Sequence, residues 1–172
     1  EKLGGYVLIQ PTASWGFNTW STAGCSQLID HLAARGETVV LTAGKAENEI
    51  AMVKEIIAGC DGGAKIVNLA GQLTVTQLAV FIEKAKLFFG MDSLPRHMAA
   101  ALKTPMVVLS GPSNLDHWRP WQAEHTLIWA GDYRPLPRVG DVDTNTGERY
   151  LYAIPAEDVI KAVGRRLDKT RS

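Results

Sequence analysis

The chain has 172 residues, and its 18 basic and 18 acidic side chains give a formal net charge of zero. Non-specific binding of DNA or RNA needs a clustered positive surplus, so this balance argues against a nucleic-acid partner. With 46% hydrophobic and 21% charged residues, the composition is that of an ordinary globular domain and excludes intrinsic disorder. No apolar run approaches the roughly 20 residues that span a bilayer, so we expect a soluble protein.

The two cysteines, Cys25 and Cys60, are too few for a disulfide framework or a cysteine-rich zinc site, which predicts a reducing compartment. The chain opens at Glu1 without a methionine and enters an apolar strand pattern almost at once. We therefore expect it to be part of a longer protein.

Short apolar runs alternate with helical patterns along the chain. Strands are predicted over residues 6–10, 38–42, 65–69, 87–90, 105–110 and 126–129. The first helix is predicted from a cap at Ser21 or Thr22 to a stop at Gly36. Further helices are predicted over about 46–58, after Thr74, after Ser93 and over about 156–167, and residues 131–149 read as one long loop.

Strands that alternate with helices in this way predict right-handed β-α-β units and a mostly parallel sheet. The predicted fold class is α/β, a doubly wound, Rossmann-like sheet, with residues 1–172 forming a single domain. In such sheets a ligand binds at the carboxyl ends of the strands, where the strand order reverses. For the common order 3-2-1-4-5-6, this rule selects residues 10–20 and 90–97.

The first selected segment lacks the G-x-G-x-x-G spacing of dinucleotide-binding loops, which disfavours a nicotinamide or flavin dehydrogenase. It offers instead the hydroxyl groups of Thr12 and Ser14 and a long aromatic turn. The alternative interpretation is a capped loop in which Phe17 and Trp20 only seal the sheet.

The second selected segment ends a strand with Asp92 and Ser93 and opens an alanine-rich helix. Free N–H groups and the helix dipole make such a helix start suitable for a diphosphate. Asp92 either accepts a hydrogen bond from a sugar hydroxyl or caps the helix. His97 either donates to a phosphate oxygen or is a satisfied core histidine.

A third segment, residues 109–121, combines a Gly-Pro turn with Trp118, Arg119 and Trp121. Arg119 stacked on a ring would form a pocket wall, whereas the tryptophans alone would only bury loop surface. His117 and His125 show no metal-ligand spacing with a cysteine or an acidic pair, so we predict no metal.

The run from Phe89 to Ser113, with Asp-Ser, then His, then Ala-Ala-Ala, Thr-Pro and Gly-Pro-Ser, resembles the central signature of the lipopolysaccharide heptosyltransferases, glycosyltransferase family 9. The run from Gln10 to Trp20 resembles their donor-phosphate loop. Residues 118–121 and 129–134 point to the heptosyltransferase III subgroup. The resemblance covers nearly the whole chain, and its central motif is the most specific part.

The resemblance implies a GT-B enzyme, in which two Rossmann-like domains face each other, with this chain as the C-terminal, donor-binding half. The donor would be ADP-L-glycero-D-manno-heptose, and transfer would invert the anomeric centre without a metal or cofactor. The lipopolysaccharide inner-core acceptor and the general base would belong to the absent N-terminal domain, so this chain would hold no catalytic residue. The resemblance to this family also implies a cytoplasmic protein.

Carried onto this sequence, the family's phosphate-binding positions fall on five residues. Thr12 and Ala13 would touch the diphosphate through hydroxyl and backbone. Ser93, Arg96 and His97 would line the helix start under the phosphates.

The nucleoside and sugar positions fall on four more residues. Glu47 or Glu49 would hold the adenosine ribose, Leu73 would lie by the adenine, and Asp92 would reach the heptose hydroxyls.

The sequence departs from the family at Asn18, where a lysine is usual. A leaving ADP gains negative charge in the transition state, so the loss of a preorganised cation could cost a few kcal/mol. Arg96, at a position more often small in the family, is the predicted compensating cation.

Two alternatives stay open. The chain could be a non-catalytic nucleotide-binding or interaction module of the same fold, which Asn18 favours, or a GT-B domain that uses another nucleotide-sugar. The end of the chain is also read in two ways, as a solvated basic helix or as a peripheral contact with anionic lipid of the inner membrane. Its basic residues are Lys161, Arg165, Arg166, Lys169 and Arg171.

Overall fold

The computed structural model describes residues 5–115, 120 and 122–170. Within these residues the chain forms one sheet of six strands in the order β3-β2-β1-β4-β5-β6. Every neighbouring pair is parallel. The strands are β1 Tyr6–Gln10, β2 Thr38–Leu41, β3 Lys65–Asn68, β4 Leu87–Gly90, β5 Met106–Ser110 and β6 His125–Trp129. The predicted α/β class and strand order are confirmed.

Five helices of eight or more residues are described. They are α1 Thr22–Ala34, α2 Glu47–Ala58, α3 Val75–Glu83, α4 Leu94–Ala101 and α5 Ala156–Thr170. The Ser21 hydroxyl accepts from the N–H of Gly24 and decides the predicted cap of α1. Thr74 and Gln77 form a capping box at the start of α3. The last helix extends beyond the predicted end at residue 167 and includes most of the basic tail.

The apolar strands are buried because helices cover both faces of the sheet. Along β1, Val7 and Ile9 face the core shared with α1, α2 and α5, whereas Tyr6 and Leu8 face the core shared with α3 and α4. This arrangement explains why the predicted strands lack polar alternation. The edge strand β3 departs from it, since its two terminal side chains are exposed.

The segment after β6 contains three short 3₁₀ turns, Ala130–Asp132, Val139–Asp141 and Tyr150–Ala153. This segment returns to the loop that follows β1, where the indole N–H of Trp20 donates to the carbonyl of Ile154 at 3.0 Å. The predicted long loop therefore packs beside the loop that follows β1.

In the described part of the chain, no helix combines the length and the apolarity needed to cross a membrane. The apolar stripe of α5, which includes Val159, Val163 and Leu167, is buried in the core. Because this stripe is occupied, any contact of α5 with lipid would rely on its charged side chains alone.

Candidate functional site

A cavity of about 470 Å³ opens at the carboxyl ends of β1 and β2, beside the point where the strand order reverses. Its walls come from the loops after β1, β2 and β3 and from the start of α4. The loop after β1 contributes Thr12 and Ala13, and the start of α4 contributes Ser93. The structure thus brings the two segments selected from the sequence together in one crevice.

A buried chain of hydrogen bonds, which we call the polar chain, forms one side of this crevice. The Thr42 hydroxyl donates to Oε1 of Gln10 at 2.6 Å, and Nε2 of Gln10 donates to Oγ1 of Thr12 at 2.9 Å. Because Nε2 of Gln10 occupies one acceptor position of Oγ1 of Thr12, the O–H of Thr12 is available to donate to a ligand. Gln10 and Thr42 were missed as site residues, although a polar residue that ends an apolar strand is a usable signal.

Leu73 reaches the crevice because of a tight turn after β3. Gly71 has a φ of +71°, which glycine adopts without strain, and its N–H donates to the carbonyl of Ala43 at 3.1 Å. The turn places Leu73 beside Val75 and Leu78, which form an apolar wall. An apolar surface of this kind can pack against the face of an aromatic ring.

The two acidic candidates after β2 differ in placement. The Glu49 carboxylate lies against Gly44 and lines the crevice. Glu47 lies in the first turn of α2, is exposed, and is not among the residues that line the crevice. The exposed Lys45 also lines it, and the sequence reading did not single out this cation.

The start of α4 presents a helix N-terminus to the crevice. Ser93 is the N-cap residue, but its hydroxyl makes no capping bond to the helix, and Pro95 occupies the first turn. Ser93, Leu94 and Pro95 all line the crevice. The positive end of the helix dipole therefore lies where an anion would bind.

Asp92, Arg96 and Ser110 form a second group, which we call the arginine cluster. The Arg96 guanidinium is 1% exposed, with Nη2 2.6 Å from Oδ1 of Asp92 and Nη1 donating to Oγ of Ser110 at 3.3 Å. Burial lowers the pKa of Arg96, and the Asp92 carboxylate opposes this shift. None of the three lines the crevice.

Arg96 is predicted from the sequence to line the helix start under the phosphates; the carboxylate of Asp92 and the hydroxyl of Ser110 hold its guanidinium in the interior, and a contact with the donor stays a prediction. His97 also lies outside the crevice lining. Burial, and next the positive charge of Arg96, lower the pKa of His97, while Asp92 opposes the shift.

Asn18 ends a 3₁₀ turn, Gly16–Asn18, and is 7% exposed. Its Oδ1 atom is buried, has no hydrogen-bond partner among the described residues, and lies against Gly111. Asn18 is not among the residues that line the crevice.

The predicted pocket wall of Trp118, Arg119 and Trp121 lies outside the described residues, as do His117 and Arg171. Over the described ranges, no group of three or more His, Cys, Asp or Glu side chains is placed to hold a metal ion.

Comparison with known proteins gives a consistent set of relatives. The model of glycosyltransferase family 9 (heptosyltransferase) matches residues 2–147. Lipopolysaccharide heptosyltransferase 3 of Escherichia coli is 46% identical over 162 residues, which is 94% of this chain and 47% of that protein. The chain therefore spans about half the length of the curated relatives it matches.

Solved structures show the same fold. The E. coli ADP-heptose lipopolysaccharide heptosyltransferase II superposes with a TM-score of 0.81 at 24% identity, covering all of this chain and 49% of that one. E. coli heptosyltransferase WaaC with ADP gives a TM-score of 0.74 at 19% identity, over 95% of this chain and 44% of that one.

Proposed function

Because the chain belongs to glycosyltransferase family 9, the heptosyltransferase family, we propose that it is the nucleotide-sugar-binding domain of an enzyme that adds heptose to the lipopolysaccharide inner core. The observation that carries this proposal is the crevice at the switch point, which is the place between β1 and β4 where the strand order reverses. A helix N-terminus, the Thr12 hydroxyl and an apolar wall converge there. The proposed donor is ADP-L-glycero-D-manno-heptose.

The crevice suggests one orientation for the nucleotide. The adenine ring would lie on the apolar wall that includes Leu73, and the ribose hydroxyls would donate to the Glu49 carboxylate. The diphosphate would then bridge Thr12 and Ala13 on one side and Ser93 at the start of α4 on the other.

Transfer would invert the anomeric centre, with the acceptor and the general base supplied by the remainder of the protein. This domain's contribution is to bind the leaving diphosphate. The helix N-terminus is fixed before reaction and Oγ1 of Thr12 is held by Gln10, so both groups stabilise developing negative charge with little reorganisation. The Asp92 side chain, which is 17% exposed, is proposed to accept from heptose hydroxyls.

Titration of the chain with ADP, UDP and NAD, followed by NMR, tests this proposal. We expect ADP to bind more tightly than UDP, because the apolar wall has room for a purine, and NAD to bind weakly. A preference for UDP would point to another sugar donor. Absence of binding by all three nucleotides would contradict the proposal.

A second candidate is a nucleotide-binding module without transferase activity. It is favoured by the buried Asn18, since the turn Gly16–Asn18 contains no cationic side chain. An assay of heptose transfer by the full-length protein, unmodified and with Asn18→Lys, separates the two. Transfer by the unmodified protein supports the enzyme, and ADP binding without transfer supports the module.

A further inference from the structure

A second, smaller cavity of about 280 Å³ adjoins the crevice on the side of α1 and α2. The two cavities share Thr12, Ala13, Ser14 and Glu49. A ligand held against the backbone of residues 12–14 can therefore extend from one cavity into the other. A nucleotide-sugar, with a nucleoside at one end and a sugar at the other, has this extended shape.

Arg149, at the end of the long loop after β6, lines this second cavity. Its Nη1 donates to the carbonyls of Gly147 at 3.2 Å and Glu148 at 3.0 Å, which fixes the guanidinium. A methyl group built on Gly16 would lie 3.2 Å from Nη2 of Arg149. Because Gly16 has no side chain, the guanidinium of Arg149 can lie close to the loop that follows β1.

The charges in the second cavity are mixed. Arg149 is the one cationic residue among the described residues that line it, and Glu49 and Glu55 are the acidic ones. Glu55 already accepts a hydrogen bond from the Thr22 hydroxyl at 2.7 Å. A cation that faces carboxylates suits a ligand with both phosphate and hydroxyl groups, because the guanidinium binds the first and carboxylates bind the second.

We propose that Arg149 is the cation that binds the donor diphosphate, reaching over Gly16 to the loop of residues 12–14. This inference rests on the proposed function. It assigns neutralisation of the diphosphate charge to the loop after β6, and not to the turn Gly16–Asn18 or to Arg96. Arg149 then adds to the Thr12 hydroxyl and the helix N-terminus in making this domain prefer a nucleoside diphosphate to a nucleoside.

Calorimetric titration of the chain with ADP and with adenosine, at low and high salt, tests the inference. Arg149→Gln should weaken ADP binding about tenfold, because one charge-assisted hydrogen-bonding group is lost. It should leave adenosine binding unchanged and reduce the salt dependence of ADP binding. Arg149→Lys should restore part of the ADP affinity, since lysine keeps the charge but not the planar fork.

Two further variants separate position from total charge. Arg138→Gln removes an exposed arginine of the same loop that lines neither cavity, and it should leave ADP affinity unchanged. Gly16→Ala keeps every charge but displaces the guanidinium by a few tenths of an ångström, and it should weaken ADP binding about threefold.

The outcomes distinguish the two proposals. If Arg149→Gln binds ADP as tightly as the unmodified chain, or if Arg138→Gln weakens ADP to the same extent, the role of Arg149 is overturned while the nucleotide crevice stands. If the unmodified chain binds no ADP, both proposals fail. Loss of adenosine binding in Arg149→Gln would also overturn a role specific to the diphosphate.

Discussion

On the β1–β2 side of the switch point, the polar chain ends at an open crevice, where the Thr12 hydroxyl is available to donate to a ligand. On the β4–β5 side, the arginine cluster bonds the Arg96 guanidinium inward and outside the crevice lining, and leaves only the 17% exposed side chain of Asp92 for the proposed contact with heptose. Both groups lie at the carboxyl ends of strands, and both are rich in polar side chains. The difference shows that position in the fold predicts where a ligand binds. The hydrogen-bond and ion-pair partners of each side chain then determine whether it can contact the ligand or only stabilises the fold.

The largest expected effect comes from breaking the arginine cluster. Arg96→Met should lower the free energy of unfolding by about 2–3 kcal/mol, because the Asp92 carboxylate loses its cation. Urea unfolding measures the loss. ADP affinity of the folded variant should stay within about twofold, since the guanidinium does not line the crevice. Weaker ADP binding at unchanged stability would show that Arg96 faces the ligand after all.

Breaking the polar chain should affect both stability and binding. Thr12→Val removes the acceptor for Nε2 of Gln10 and the O–H directed at the ligand, so we expect about 1–2 kcal/mol lower stability and about tenfold weaker ADP binding. Thr104→Val is the matched control, because the buried Thr104 hydroxyl donates to the carbonyl of Ile82 at 3.0 Å, outside the crevice. Equal ADP affinities for the two variants would contradict the assignment of Thr12.

The two acidic residues in the first turn of α2 give a sharper contrast with a smaller expected effect. Glu49→Gln should weaken ADP binding about fivefold, because one ionised acceptor of the ribose hydroxyls is lost. Binding of 2′,3′-dideoxy-ADP, which lacks these hydroxyls, should be unaffected. Glu47→Gln is the control and should change neither nucleotide. A larger effect from Glu47 would select the other of the two residues predicted from the sequence.

The smallest effect concerns pH. Burial and the charge of Arg96 lower the pKa of His97, so the unfolded chain binds its proton more readily than the folded chain does. The stability from neutral His97 is therefore present above its ordinary pKa of about 6.5 and is lost as the pH falls through the lower folded value. Urea unfolding of the unmodified chain and of His97→Gln should give stabilities that converge on acidification. A difference that is constant with pH would contradict this assignment.

The sheet and the location of the crevice could be predicted because unbroken apolar runs determine the strands, and the strand order determines where ligands bind. The sequence also indicated Thr12, Glu49, Leu73 and Ser93, all of which line the crevice. Their binding roles stay predictions.

The direction of each side chain could not be predicted in the same way. Arg96 follows a strand end that reads as an anion site, yet its tertiary partners, Asp92 and Ser110, hold it in the interior. Arg149 approaches Gly16 only because the long loop folds back across the first one, and no local periodicity encodes such a contact. Local sequence patterns therefore predict where the crevice lies, whereas long-range contacts determine which arginine side chains lie near it.

The most direct test of the donor site is the map of backbone amide shifts on addition of ADP. The account predicts that the largest shifts fall on Thr12, Ala13, Leu73, Ser93 and Leu94. A larger open groove of about 700 Å³ lies between β6 and α5 and is lined by Lys161 and Arg165 among others. Shifts concentrated in that groove, with the amides of residues 12–13 and 93–94 unchanged, would contradict the central claim.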